Sequence, residues 1–116
     1  MSDISRKHVG PRMSEAVVHQ GVVYLAGQVA DDTSLDVGGQ TAQVLAAIDR
    51  LLAEVGSDKT RILSATIFLA DISTFPEMNK VWDAWVPQGH TPARATVEAR
   101  LAAPGYTVEI KVVAAC

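Results

Sequence analysis

The sequence predicts an α+β protein in which two helices cover one face of a mixed sheet of four or five strands, in the order β-β-α-β-α-β-β. Three observations lead there: two apolar stripes at helical spacing, short β-branched runs before, between and after them, and turn residues at the junctions. With 116 residues, 48% of them hydrophobic and 20% charged, residues 1–116 are expected to form a single soluble domain.

Ala16-Val17-Val18-His19 and the run Val22 to Gly27 flank Gln20-Gly21, and the pair of β-rich segments reads as a hairpin whose Gly21 takes positive φ. From Gly39 to Val55 the period changes: Val44, Leu45, Ile48, Leu51, Leu52 and Val55 share one stripe of a helix that Gly56 stops. Ile62 to Leu69 is a strand by length and β-branching, with Leu63, Ala65, Ile67 and Leu69 on one face and Ser64, Thr66 and Phe68 on the other. A second helix begins at a capping box, Thr74 with Glu77. It buries Phe75, Met78, Val81, Trp82, Trp85 and Val86, wets Asn79, Lys80 and Asp83, and ends at Pro87 and Gly89. Two extended segments, Ala95 to Leu101 and Thr107 to Ala114, are joined through the Pro104-Gly105 turn. Both helices lie on one face of the sheet, so the other face, carrying Ser64, Thr66 and Phe68, needs a cover from outside the chain, and a homo-oligomer is expected.

Several function classes are excluded at this level. The one cysteine, Cys116, rules out an internal disulfide framework or a multi-cysteine metal site and suits a reducing compartment. No apolar run is long enough to span a membrane and Met1–Val9 has no signal-peptide block, so a cytoplasmic protein without a membrane partner is expected. A net charge of −3 without a basic run argues against nucleic acid as a partner. His8, His19 and His90 lack metal-ligand spacing, Gly38-Gly39 lacks the dinucleotide fingerprint, and no GxSxG elbow is present. The aromatic stripe Phe75, Trp82 and Trp85 reads as core.

One segment places charge where its context predicts burial: His90-Thr91-Pro92-Ala93-Arg94-Ala95-Thr96-Val97-Glu98, followed by Thr107-Val108-Glu109-Ile110-Lys111. Pro92 stiffens the entry to a strand, and the Arg94 guanidinium there is a fork matched to a carboxylate. Glu109 stands between Val108 and Ile110 in an otherwise apolar strand. An internal Arg94–Glu109 ion pair, or solvated charges on a strand edge, would give the same pattern.

In Pro92-Ala93-Arg94, Val97, Arg100-Leu101 and Val108-Glu109-Ile110, with the interval between arginine and glutamate, the chain resembles the RidA (YjgF) family of reactive-intermediate deaminases. Gly10-Pro11, Ala26-Gly27-Gln28 and Ala65 to Asp71 extend that resemblance over nearly the whole chain. It implies a chorismate-mutase-like fold, a homotrimer whose sheets form an inner barrel, and three sites in clefts between subunits. The implied activity is hydrolysis of 2-imino acids, or their 2-aminoacrylate-type enamine tautomers, to 2-oxo acids and ammonia, with no metal or organic cofactor. Arg94 would hold the substrate carboxylate and Glu109 would position the attacking water. Arg12, Ala26 and Thr96 replace the tyrosine, serine and cysteine that line the cleft in the best-characterised members, and are carried over as substrate-binding positions. Arg12 either points into the cleft and favours acidic substrates, or points to solvent or pairs with Glu15. A trimer that binds a small carboxylate without turnover, and a ribonuclease or translation-inhibiting role, are the alternatives.

Overall fold

The computed structural model describes residues 3–116, so residues 1 and 2 of the Met1–Val9 segment lie outside the described residues. Six strands form one sheet: β1 (Ile4–Val9), β2 (Ser14–His19), β3 (Val22–Leu25), β4 (Ile62–Leu69), β5 (Ala93–Glu98) and β6 (Val108–Ala115). Their spatial order is β1-β2-β3-β6-β4-β5, antiparallel throughout except for the parallel β4–β5 pair. Helices α1 (Val37–Glu54) and α2 (Phe75–Trp85) pack on one face. No helix among the described residues is long and apolar enough to cross a membrane.

The hairpin between β2 and β3 turns on Gln20 and Gly21, both at positive φ (51° and 78°), the geometry of a two-residue type I′ connection. Val44, Leu45, Ile48, Leu51 and Leu52 of α1 are buried, Asp36 caps its start by accepting from the Gly39 N–H at 2.8 Å, and Gly56 follows its end at φ 76°. The core lies between these helices and the inward residues Val23, Leu25, Ala65, Ile67, Leu69, Val108, Ile110 and Val112.

Four expectations are corrected. The sheet gains β1, whose six residues are all exposed: an edge strand held to β2 by backbone pairing shows no apolar alternation. A β-bulge between Ile62 and Ser64 reverses the start of β4, so that Ile62 is buried while Leu63 is 51% exposed. Thr74 makes no capping bond to α2; its hydroxyl donates to the Asp71 carbonyl, Pro76 occupies the first turn, and Glu77 instead accepts from Gly38 N–H of α1 at 3.3 Å. Finally, β5 and β6 are not neighbours. The turn at Pro104-Gly105 forms, with Tyr106 N–H donating to the Ala103 carbonyl, but the chain crosses over and β4 lies between the two strands.

Candidate active site

The crossover decides where the charged residues go. Arg94 pairs with Ala65 of β4, and Glu109 pairs with Phe68 of the same strand. Ala65 is buried beneath the helices, whereas Phe68 belongs to the alternate, uncovered face. Directly paired residues share a face, so Arg94 points to the helix side and Glu109 to the open side. Three residues along β4 and two strand spacings also separate them, about 10 Å in each direction. The internal Arg94–Glu109 ion pair is thereby excluded. Among the described residues, the contact between a basic and an acidic side chain is the 2.6 Å hydrogen bond between His8 Nε2 and Glu54 Oε1.

Arg94 is half-buried against α2. Its Nη1 donates to Asn79 Oδ1 at 2.8 Å, and its Cζ lies 5.3 Å from the Trp82 ring centroid and 5.7 Å from that of Phe75. None of these partners is anionic. A cavity of about 370 Å³ opens beside it, walled by Asn79, Trp82, Asp83, Val86, Thr91 and Pro92, and the Asp83 carboxylate makes no ion pair with Arg94. Thr96, two residues along β5 and on the same face, has a buried hydroxyl with no hydrogen-bond partner.

Glu109 is packed against the other end of the predicted set. A Cβ on Gly27 would overlap the Glu109 carboxylate, so the bare glycine is what lets that side chain lie across the strand. Gln28 holds this segment against β6 through a pair of backbone bonds with Ile110, at 2.9 and 3.1 Å. Ala26 contributes backbone only: its N–H donates to the Glu15 carbonyl and its carbonyl accepts from the Gln28 amide. Arg12 stands exposed in the β1–β2 turn and makes no ion pair with Glu15. That turn lies at the sheet end where β3 runs out, the end at which Gly27 and Glu109 sit.

The predicted residues therefore form two groups: Arg94 with Thr96 on the helix side, and Glu109 with Ala26 on the open side near the Arg12 turn. Asn79, Trp82 and Phe75 were missed as site residues. Asn79 was placed on the wet side of α2, yet positions 75, 79 and 82 follow the 4-then-3 spacing of one helix face, and that spacing was the available signal. No group of three or more metal-ligating side chains occurs among the described residues. Chemically, the first group can hold a planar anion and the second can orient and deprotonate a water.

The family described as Endoribonuclease L-PSP matches residues 7–116. The RutC family protein YoaB of Escherichia coli is 52% identical over 104 residues, covering 90% of each chain. The 2-iminobutanoate/2-iminopropanoate deaminase of Rattus norvegicus is 32% identical over 107 residues, 87% of this chain and 77% of that protein. A crystal structure of a YjgF-family protein from Neisseria meningitidis superimposes with a TM-score of 0.95 at 53% identity, covering 97% of this chain and 94% of that one. Two helices on a mixed six-stranded sheet are thus shared with solved relatives, and the chain belongs to the YjgF/RutC family.

Proposed function

We propose that this protein hydrolyses 2-imino acids, or their enamine tautomers, to 2-oxo acids and ammonia. The observation that carries the reading is Arg94: a half-buried guanidinium, fixed by α2, that faces a cavity and makes no ion pair, the Asp83 carboxylate on the cavity wall standing beyond salt-bridge distance. A substrate carboxylate docked on that fork by two parallel hydrogen bonds fixes the adjacent imine carbon. Glu109 then orients a water towards that carbon, takes one of its protons as the C–O bond forms and passes it to the imine nitrogen to give the carbinolamine. It next takes the carbinolamine hydroxyl proton and delivers it to the amine as the C–N bond breaks, so that ammonia leaves and the carbonyl closes. The deaminase activity named for the rat relative supports the same chemistry.

Because Arg94 and Glu109 occupy opposite faces, the reading requires Arg94 of one subunit and Glu109 of the next. The open sheet face supports association: Ile4, Tyr24 and Val97 lie on it 48%, 46% and 44% exposed, beside Phe68 and Val113. We propose a homotrimer with these faces turned inward, acting on a small imino acid in the cytoplasm without nucleic acid or membrane as partner.

A second reading, binding of a small carboxylate without turnover, draws on Ala26 and Thr96, which bring no serine hydroxyl or cysteine thiol to the site. The ribonuclease activity in the family description finds less support, since His8 pairs with Glu54, His19 reaches the Asp3 carbonyl and His90 stands on the α2–β5 connection, in three separate places. The deciding experiment generates imines with an amino-acid oxidase or a dehydratase and follows 2-oxo acid release. Faster release with purified protein supports the enzyme; binding of 2-oxo acid with no acceleration supports the second reading.

A further inference from the structure

Arg94 carries its charge off the edge strand β5 into a corner of α2 whose one acidic side chain on the cavity wall, Asp83, makes no ion pair with it. Phe75, Asn79 and Trp82 supply its hydrogen bond and both ring contacts from one helix face, so a single rigid element orients the guanidinium. The choice of partners has a physical consequence. A carboxylate bonded to Arg94 would hold it firmly but would neutralise it and occupy the N–H fork; Asp83, on the same cavity wall, makes no such bond. Aromatic rings attract the cation through their quadrupoles within about 6 Å without accepting its N–H groups as a carboxylate does. Asn79 occupies one Nη1 hydrogen and adds no charge.

Trp82 is the anchor of this arrangement. It is 4% exposed, its ring packs 5.4 Å from that of Trp85, and the Trp85 indole N–H is in turn tied to Asp49 of α1 at 2.9 Å. The orientation of the ring beside Arg94 is therefore set by the packing of one helix on the other. Trp82 also walls the 370 Å³ cavity that Arg94 faces. We infer that Trp82, with Phe75 and Asn79, is a positioning residue that fixes the plane of the Arg94 guanidinium and leaves its remaining N–H edge for one planar carboxylate entering that cavity. This rests on the proposed anchoring role of Arg94 and goes beyond it: the fork is pre-oriented before substrate arrives, so little side-chain freedom is lost on binding.

The test follows the Arg94 Nε–H signal by ¹⁵N NMR, assigned by its loss in Arg94→Ala, in the wild type, Trp82→Phe, Trp82→Leu and Asn79→Ala, with 2-oxobutanoate titrated into each. A clamped guanidinium gives a ring-current-shifted, slowly exchanging Nε–H in the wild type. Trp82→Phe keeps it, because a ring remains. Trp82→Leu loses it, binds 2-oxobutanoate roughly tenfold more weakly, and loses more in kcat, about a hundredfold, because the imine carbon is no longer held on line with the water. Should Trp82→Leu fail to fold, Phe75→Leu and Asn79→Ala each remove one contact and are expected to raise the Nε–H exchange rate in the folded protein. A wild-type signal that is unshifted and fast-exchanging, or one that these substitutions leave unchanged, overturns the clamp. A wild-type signal that is clamped but unmoved by 2-oxobutanoate preserves the clamp and removes the carboxylate-anchor reading instead.

Discussion

Arg94 and Glu109 leave the same sheet in opposite directions, one paired with Ala65 under the helices and the other with Phe68 on the uncovered face. No single chain can close both on one small substrate. If each active cleft takes its arginine from one subunit and its glutamate from the next, two inactive variants should rescue one another. Arg94→Ala and Glu109→Gln, each expected to lose imine hydrolysis as a homotrimer, should recover roughly one quarter of the wild-type rate when co-refolded in equal amounts, since random assembly leaves about that share of clefts with both groups intact. No recovery in mixed trimers, verified by tagging one variant, would refute a shared site.

Arg94→Lys tests the geometry of the fork rather than its charge. An ammonium is a point charge with no planar two-point edge, and Lys cannot reproduce both the Asn79 bond and the approach to Trp82 and Phe75. The variant should fold and assemble as the wild type, by light scattering at about three chains, while kcat/KM falls roughly a hundredfold. Near-wild-type activity would mean that charge alone suffices and that the planar contact is not used.

Gly27 tests the other half of the site. A methyl group there would overlap the Glu109 carboxylate, and the overlapping atoms belong to the mobile end of a side chain rather than to backbone. Gly27→Ala should therefore fold with a small change in melting temperature but swing Glu109 away from its place, lowering kcat with little effect on binding of a 2-oxo acid. A large loss of stability with normal kcat per folded protein would show that Gly27 serves the strand and not the carboxylate.

How much of this was legible beforehand follows from the range of each interaction. The β2–β3 hairpin is local, and Gln20-Gly21 announces it; the apolar stripe of α1 is equally local. Arg94 and Glu109 stand out in the sequence as candidates, because they place charge where the context predicts burial. Their opposite faces were not, because these depend on β4 inserting between β5 and β6, a pairing of segments more than twenty residues apart in sequence. β1 escaped notice for the opposite reason: its exposed residues carry no burial pattern at all. The Leu63 bulge, one extra residue, inverts the expected facing of the first residues of β4 and leaves no mark in composition.

Acid stability follows from three aspartates in the connections. Asp32, Asp58 and Asp71 each accept from the hydroxyl, and also from the backbone N–H, of a Ser or Thr two residues on, and these bonds hold their carboxyl groups below the ordinary value of 3.8. With the folded pKa depressed, the unfolded chain takes up protons first as pH falls. The contribution is therefore fully present above the unfolded value and is lost as pH drops through the folded one. Melting temperature should hold steady at neutral pH and fall below about pH 4, and the combined Asp32→Asn, Asp58→Asn and Asp71→Asn variant should show a shallower acid limb. An unchanged limb would place the acid-sensitive groups elsewhere.

Arg12 is the remaining departure from the family pattern whose bearing on substrate choice can be tested. It stands exposed in the β1–β2 turn, which Gly10 and Met13 close with a 2.8 Å backbone bond, and it is unpaired with Glu15. The turn shares its end of the sheet with Gly27 and Glu109, so in the proposed cleft between two subunits Arg12 would belong to the glutamate half, across the substrate from Arg94. A second guanidinium there raises the local positive potential and favours an imino acid with an additional carboxylate. Arg12→Tyr should lower kcat/KM for the imine of glutamate roughly tenfold while leaving those of alanine and leucine within about twofold, the difference expected for one partly screened charge contact. Equal changes for all three imines would show that the Arg12 side chain stays in solvent and takes no part in recognition.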